Sequence, residues 1–506
     1  MVLNIKDNLD DRYKLDAAKQ QNIENIIITS ISAWPHLEIA CEIALNYNKA
    51  GHNTALVFIH DCMPDQGYFP YLSHPIISLP IRSYYWNRVK YLFGVLNQKN
   101  VNKTFWDTPD WTKVDLLWQR LKKQVDKCTN LEEISQVKLD ENINIGLGVA
   151  SSYCSRFSDP NADLKESYWI EAYFKSAISM YLSTDKVINL FQPKNVIVFN
   201  GRTAYTRPVV ETCQKHGVQV LYYEFGATLN HYYISPYSPH DLRVTRLQIQ
   251  QLWQSNKSDQ KITIAKSFFL RKSKGEDIGN FYSFVQRQKK NLIPKKCKTY
   301  RWTYYSSSDD ELFFVDPSFI NYSIFKSQAE AIEWLIEYVD NLDDIELVIR
   351  VHPHKDKKSK RLRDYWNNLQ GKNILVVKSN SPVDSYELAR TSDLVITYAS
   401  TMGIEAAYLG KPVILIGDAA YKGLDCVYEP SNVEELKRYL SLKELTPKPV
   451  ENTLPFGYFC LNHYTTQGTL RSYEITTAVD KILILIKKAE KILRNYQKFP
   501  LLQWIN

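Results

Sequence analysis

The chain has 506 residues, of which 44% are hydrophobic and 23% are charged, and its formal net charge is +8 at pH 7. It is too long for one ordinary core, because single hydrophobic cores stop growing near about 250 to 300 residues. The composition is that of a folded soluble protein, and a run of about 18 apolar residues, which an integral membrane protein would need, is absent from the sequence.

The N-terminus and the cysteines indicate the compartment. Residues 1–21 lack a basic region followed by an apolar region, so we expect a cytoplasmic protein without a signal peptide. Peripheral contact with the inner membrane face through the basic segment 265–298 stays open. The eight cysteines are scattered, without a C-x-x-C pair or close histidine partners, which predicts reduced thiols and argues against a zinc site.

In the first half of the chain, short apolar runs alternate with stretches of helical periodicity, which predicts a parallel α/β sheet. Residues 81–140 have a mainly helical pattern and are predicted to be an insertion between strands. The other predicted elements are a strand at 23–32, a helix at 37–51, a strand at 53–61, a helix at 166–191, a strand at 195–201, a helix at 205–217 and a strand at 218–226.

The second half has the clearer alternation of strands and crossover helices. Strands are predicted at 299–307, 345–353, 373–378, 393–398 and 411–417, with helices at 326–342, 361–369, 381–392 and 400–410. We therefore predict two Rossmann-like domains, 1–275 and 297–468, joined by a basic linker at 276–296. Residues 469–506 are predicted to carry a helix that closes the second domain or crosses back to the first.

Polar residues follow several predicted strands, where ligands bind in open parallel sheets. The most unusual stretch is RVHPH at 350–354, in which Pro353 stiffens the turn between two histidines. His352 could donate to a phosphate or act as an acid, although a single histidine at a strand end is more often structural. The candidate donor-binding residues at this edge are Ser307, Ser308, Arg350, His352, His354, Ser400, Thr401, Gly403 and Glu405.

Ser400 and Thr401 are suited to cap the helix that opens near Met402, where backbone donors would face a phosphate. Glu405, about one turn further, could accept hydrogen bonds from ribose hydroxyls. The alternative is plain helix capping with a structural glutamate.

The succession RVHPH, then SPVDSYELARTSDLVITYASTMGIEAAYLGKPVI, resembles the donor half of capsule polysaccharide synthesis glycosyltransferases of the GT-B class, the group that includes the capsular Kdo transferases. The resemblance covers about residues 300–420. It implies two Rossmann-like domains with parallel sheets facing a central cleft, with the nucleotide part of an activated sugar bound by the second. By this resemblance, the binding residues are His352, Pro353, His354, Ser400, Thr401, Gly403 and Glu405.

In a GT-B fold the strand-end loops of the first domain face the cleft on the acceptor side. Trp34, Asn200 and Arg202 are candidates there for acceptor contacts. A second set, His36, Asp61 and Glu224, together with His352, are the candidate catalytic residues, because one of the first three could take the proton of an acceptor hydroxyl. Each of these residues, taken singly, is better explained as a cap or a structural polar group, and it is their shared edge that makes the set a candidate site.

The function predicted is transfer of a sugar from a nucleotide-activated donor to a glycan or lipid-linked acceptor in surface or capsular polysaccharide synthesis. A spaced D-x-D pair is lacking, and Asp309 and Asp310 are adjacent, so we expect no metal and no cofactor beyond the nucleotide-sugar substrate. Alternatives are a nucleotide-sugar epimerase, a glycerophosphotransferase, or a binding protein without turnover. The basic runs lack a recognisable nucleic-acid-binding module, so we expect no nucleic-acid partner.

Overall fold

The structure is a computed structural model. Its description covers residues 13–15, 22–32, 35–60, 75–101, 103–157, 159–164, 167–226, 231–276, 285–307, 313–316, 324–353, 355, 360–442, 444–462 and 466–467. The chain forms two compact units. The first contains the described residues of Met1–Asp110 and of Leu182–Val196, and the second contains those of Trp111–Tyr181 and Ile197–Gln467.

The first unit contains a parallel three-stranded arrangement with helices. Its elements are β1 (Asn25–Thr29), α1 (His36–Lys49), β2 (Thr54–Ile59), α2 (Pro75–Gln98) and β3 (Thr104–Asp107). β2 pairs in parallel with β1 and with β3. Strands β1 and β2 are buried throughout, as their unbroken apolar runs predict. Strand β3 lies inside the stretch 81–140, whose pattern predicted mainly helix.

The second unit begins with helices and a mixed group of strands. Its helices up to residue 255 are α3 (Trp111–Val125), α4 (Leu131–Ser135), α5 (Ile145–Phe157), α6 (Ser167–Phe191, which begins in this unit), α7 (Arg207–His216) and α8 (Leu242–Ser255). Its strands here are β4 (Asn195–Phe199), β5 (Gln219–Phe225) and β6 (His231–Ser235). β5 lies beside β4, while β6 turns back and pairs antiparallel with β5. The sequence pattern did not predict β6.

The rest of the second unit contains a five-stranded, wholly parallel sheet. Its strands are β7 (Tyr300–Tyr305), β8 (Ile345–Arg350), β9 (Ile374–Val377), β10 (Leu394–Thr397) and β11 (Val413–Leu415). The associated helices are α9 (Gln260–Ser273), α10 (Gln328–Asp340), α11 (Lys360–Asn367), α12 (Ser385–Arg390), α13 (Met402–Tyr408), α14 (Val433–Ser441) and α15 (Leu454–Asn462). The strand order is β11-β10-β7-β8-β9, and each neighbouring pair is parallel. The predicted α/β class with parallel sheets is confirmed.

Both faces of this sheet are covered by helices, which is why most residues of its strands are apolar and lack a strict polar alternation. Trp302 and Tyr304 of β7 point to one side and pack in a core with residues of α10. Tyr305 and Val395 point to the other side and pack with residues of α9, α13 and α15. The alternation follows the two-residue period of a strand.

A buried ion pair fixes the register of the two central strands. Arg301 of β7 lies directly opposite Glu346 of β8, and its Nε donates to Glu346 Oε1 over 2.6 Å. The guanidinium also donates to the carbonyl of Pro294, and Glu346 accepts from the amide of Cys297. The last part of the predicted linker 276–296 is therefore bound to the start of the sheet.

Helix α9 is held tightly against α15 and α13. A Cβ atom on Gly457 would come within 2.6 Å of the Ala265 carbonyl oxygen, so only glycine permits this helix crossing. The Phe269 ring stacks on Tyr408 with centroids 4.1 Å apart. Because of these contacts, the C-terminal end of α9 has a defined position beside the five-stranded sheet.

Among the described residues, none of the helices combines the length and the apolar character that crossing a bilayer would require.

Candidate functional site

A cavity opens at the carboxyl edge of the five-stranded sheet, and its volume is about 540 Å³ when the solvent-filled mouth is included. It is lined by Lys272, Val285, Gln288, Tyr305, Ser306, Arg350, His352, Pro353, Ser385, Tyr386, Ser400, Thr401, Met402 and Glu405. The strand order explains its place. The chain leaves the central strand β7 toward β8 on one side and later returns to β10 on the other, which creates a crevice at the point where the direction reverses.

The histidine-proline turn forms one wall of this cavity. The His352 amide donates to Ser306 Oγ over 2.8 Å, which ties the end of β8 to the end of β7. The amide of Lys355 donates to the His352 carbonyl and closes the turn. The Lys355 ammonium lies over the Trp366 ring, 4.3 Å from its centroid, so this lysine is directed into the core. Of the candidates in RVHPH, His354 lies outside the described residues.

Arg350 lines the cavity, but most of its N–H donors are hydrogen-bonded to other groups of the protein. Its guanidinium donates to the carbonyls of Val351, Lys378 and Ser381 and to Ser385 Oγ, at 2.8 to 3.3 Å. These bonds hold the loop after β9 against the end of β8. Burial lowers the pKa of Arg350 to about 10, so the group remains a cation at neutral pH. The described residues provide no carboxylate partner for it.

Ser400, Thr401 and Glu405 also reach the cavity. Ser400 Oγ accepts from the Met402 amide over 3.2 Å, whereas the Thr401 side chain makes no capping bond. The buried carboxylate of Glu405 accepts a short hydrogen bond from the Tyr386 hydroxyl. Burial and the neighbouring Glu405 charge raise the pKa of Tyr386, so the phenol stays protonated and remains the donor.

Gly403 contributes by allowing close packing, and it does not line the cavity. A Cβ at this position would lie 2.4 Å from Tyr421 Oη and 2.7 Å from Thr397 Cγ2. Tyr421 in turn donates to the Ser400 carbonyl over 2.7 Å. The glycine therefore lets a buried tyrosine support the loop that carries Ser400.

Gly403→Ala should lower the free energy of unfolding by about 1 to 3 kcal/mol, because the added methyl group has no space beside Tyr421. Chemical denaturation of both proteins measures the change. Gly94→Ala is the matched control: Gly94 lies in α2, a Cβ there would meet no atom within 4 Å, and a helical backbone accepts alanine, so this variant should be at least as stable as the wild type. Equal stability of Gly403→Ala and the wild type would contradict the packing role.

Ser307 is hydrogen-bonded to Gln328. It is not among the described residues that line the cavity. Its amide donates to Gln328 Oε1 over 2.8 Å, and its carbonyl accepts from Gln328 Nε2. Ser308 lies outside the described residues, so its predicted role stays a prediction.

Several residues of the cavity wall were missed by sequence reasoning. Gln288, within the predicted linker, accepts from the Ser385 amide over 2.8 Å and donates to its hydroxyl. The amide of Lys289 donates to the Pro382 carbonyl. This part of the linker is therefore an ordered wall of the site. Lys272, from the last turn of α9, adds a cation that the sequence analysis treated as part of a basic surface.

A second polar cluster lies at the ends of β4 and β5. The side-chain Nδ2 of Asn200 donates to Glu224 Oε2 over 2.7 Å, and Asn200 Oδ1 lies 3.0 Å from His240 Nε2. Because Asn200 Oδ1 can only accept, Nε2 of His240 carries the proton. Desolvation by the surrounding protein, followed by the nearby charge of Arg202, lowers the pKa of His240 to about 3, so the ring is neutral. The acceptor-contact candidate Asn200 and the catalytic candidate Glu224 are thus brought together.

The remaining candidates belong to the first unit or are not described. His36 begins α1, is buried, and has its pKa lowered to about 4 by that burial. Trp34 and Asp61 lie outside the described residues. A group of three or more histidine, cysteine, aspartate or glutamate side chains that could hold a metal does not occur in the described ranges.

Comparison with known proteins locates a related segment. Residues 313–431 match the family described as capsule polysaccharide biosynthesis protein. Protein FixF of Sinorhizobium fredii (strain NBRC 101917 / NGR234) is 36% identical over 83 residues, which are 16% of this chain and 20% of that protein. The chain thus spans about a fifth of the length of this curated relative.

Two solved structures from Thermosulfurimonas dismutans are also similar, each at 13% identity. KpsC, beta Kdo 2,4 transferase, matches over 53% of this chain and 79% of its own with a TM-score of 0.37. KpsC, beta Kdo 2,7 transferase, matches over 61% and 89% with a TM-score of 0.33. The matched family segment contains His352, Ser400, Thr401 and Glu405. The resemblance drawn from the sequence motifs is confirmed as a similarity of residues 313–431 to the capsule polysaccharide biosynthesis protein family.

Proposed function

We propose that this protein is a glycosyltransferase that moves a sugar from a nucleotide-activated donor to a glycan or lipid-linked acceptor in surface or capsular polysaccharide synthesis. The observation that carries the proposal is the cavity at the reversal point of the parallel sheet. Its wall is built from the family-matched residues His352, Ser400, Thr401 and Glu405. Crevices of this kind are where open α/β sheets bind nucleotides.

The chemistry of the wall suits a nucleotide. Glu405 is a buried acceptor whose second oxygen is available to a ribose hydroxyl when Tyr386 occupies the first. Ser400 and Thr401 contribute hydroxyl groups to the wall, and His352 contributes an imidazole on a turn fixed by Ser306. The proposal assigns the phosphates to this side of the cavity and the ribose to Glu405.

In the reaction, a hydroxyl oxygen of the acceptor forms a bond to the anomeric carbon of the donor sugar. The bond between that carbon and the phosphate oxygen breaks, and the phosphate leaves with the electron pair. The hydroxyl proton passes to a base, for which His36, Asp61 and Glu224 stay predictions. We propose that buried cations stabilise the leaving phosphate, with a GT-B arrangement and without a metal. Contact with a membrane and residence in the cytoplasm also stay predictions.

A thermal-shift screen against UDP, GDP, CDP, CMP and their sugars tests the proposal. Binding stabilises the folded state by mass action, so a ligand at about a hundred times its Kd adds roughly 2.7 kcal/mol. We expect one nucleotide to raise the melting temperature of the wild type. The His352→Ala and Glu405→Ala variants should lose most or all of that increase. His216→Ala, which changes an exposed histidine of α7, should respond as the wild type does.

The outcomes separate the competing functions. If none of the nucleotides or sugars stabilises the wild type, the proposal fails. If a donor binds, the next assay follows release of the nucleotide with and without acceptor glycans. Conversion of the donor sugar without any acceptor would indicate an epimerase. Binding without release under any condition would indicate a protein that recognises the nucleotide without turnover.

A further inference from the structure

Lys272 is a lysine on the buried face of an otherwise apolar helix stripe. The buried residues of α9 are Ala265, Phe268, Phe269 and Lys272, which recur at the spacing of one helix face. Only 5% of Lys272 is exposed. Lysine is rarely buried to this degree, because removing an ammonium from water is costly unless other groups compensate.

The position of this lysine is set by packing. Phe269, three residues earlier, is stacked on Tyr408, and Ala265 meets α15 at Gly457. These contacts fix the last turn of α9 and direct the next residue of the stripe to the wall of the cavity described above. Arg271, the preceding residue, is directed outward and pairs with Glu276 over 2.7 Å. Of these two adjacent cations, Arg271 therefore forms a surface ion pair and Lys272 lines the cavity.

The charges at the cavity favour an anionic ligand. Arg350 and Lys272 are both nearly inaccessible to solvent, and Glu405 is the single carboxylate on the cavity wall as described. Most donors of Arg350 are taken by backbone carbonyls, so its charge acts on the cavity while few of its N–H groups can reach a ligand. An ammonium with three rotatable donors can make the direct contact that this guanidinium cannot.

We propose that Lys272 is a ligand-binding residue that contacts a phosphate of the donor, with Arg350 supplying the field behind it. This inference rests on the proposed function and extends it to a helix outside the family-matched residues 313–431. A desolvated cation contacts a phosphate more strongly than a surface lysine does, because the surrounding medium screens the interaction less. The alternative is that Lys272 only closes the C-terminal end of α9.

The test compares Lys272→Met with Arg271→Met as the matched control. Calorimetric titration measures the Kd of the nucleotide found in the screen, of its nucleoside, and of inorganic pyrophosphate. Lys272→Met should weaken nucleotide and pyrophosphate binding about tenfold or more, because it removes a charge-assisted contact, and should leave nucleoside binding unchanged. Arg271→Met should bind all three as the wild type does, and Lys272→Arg should recover part of the loss.

Each outcome decides one question. If Lys272→Met binds nucleotide and pyrophosphate as the wild type does, the inference is wrong while the proposed function is unaffected. If pyrophosphate binding depends on Lys272 but nucleotides do not bind at all, the anion contact stands and the donor function fails. If neither ligand binds the wild type, both fail. Should Lys272→Met not fold, Lys272→Gln keeps part of the aliphatic stem and an N–H donor without the charge, and the same comparisons apply.

Discussion

Arg350→Met should lower the free energy of unfolding by about 2 to 3 kcal/mol and should also abolish nucleotide binding at the cavity. The guanidinium makes four hydrogen bonds, three of them to the carbonyls of Val351, Lys378 and Ser381. Methionine fills similar space but leaves those acceptors without their donor. A buried acceptor that loses its partner costs about 1 to 3 kcal/mol, and the open cavity lets water replace part of the loss.

One effect opposes this destabilisation. Burial lowers the pKa of Arg350, so the cation itself is held at a cost that methionine would relieve. We expect the lost hydrogen bonds to dominate, because several oxygens depend on one side chain and the loop after β9 has few other ties to β8. Denaturant titration gives the change in stability, and calorimetry at a temperature where the variant is folded gives the change in binding.

Arg390→Met is the matched control for this prediction. Arg390 lies on α12 near the same loop, is 48% exposed at its side chain, and pairs with Glu387 in the same helix. Exposed pairs of this kind contribute about 0 to 1 kcal/mol, so its replacement should change stability little. If Arg350→Met is no less stable than Arg390→Met, the guanidinium does not anchor the loop and its assignment as a structural cation is wrong.

The parallel sheet of the second unit could be predicted from the sequence because its strands are buried on both faces. The apolar run of β10 (LVI) shows no polar alternation, and it is followed by a stretch of helical periodicity. Strand β6 was missed because it is short and half-buried, and it pairs antiparallel through a turn rather than through a crossover helix. The sequence of β6 has neither a continuous apolar run nor a following stretch of helical periodicity, the two features that predict the other strands.

Helix α9 was missed for a different reason. Its lysines and arginines gave the segment a basic composition, and this hid the buried positions 265, 268, 269 and 272. Counting residues at helical spacing, rather than charge, would have found the helix and would have placed Lys272 on its buried face. The basic composition of 276–296 likewise predicts a linker. In the structure, Gln288 of this segment is hydrogen-bonded to Ser385.

The site was predicted in part. His352, Ser400, Thr401 and Glu405 follow strands that meet at one edge, and parallel topology brings such residues together whatever the details of the loops. The role of Arg350 could not be predicted, because it depends on carbonyls 28 and 31 residues away along the chain. Partners of that kind have no local sequence signal.

Acidification should destabilise the second unit because the half-buried His240 is held as a neutral ring. Its pKa is lowered to about 3 in the folded state, against 6.5 for a histidine exposed to water. Between these values the unfolded chain binds a proton that the folded chain does not, so stability falls as pH drops below 6.5 and is greatest above it. The contribution of this one group is at most about 1.4 kcal/mol per pH unit.

The prediction is tested with His240→Gln, which keeps an amide donor for Asn200 but does not titrate. Denaturant unfolding at several pH values from 7 to 4.5 should give a shallower loss of stability for His240→Gln than for the wild type. At pH 7 the variant should be less stable, because the bond to Asn200 is less well formed, so the two curves should approach or cross on acidification. His216→Gln, at an exposed position of α7, should follow the wild-type slope. Parallel curves for His240→Gln and the wild type would mean that His240 accepts its proton in the folded state, and the assignment of a neutral His240 ring beside Asn200 would then be wrong.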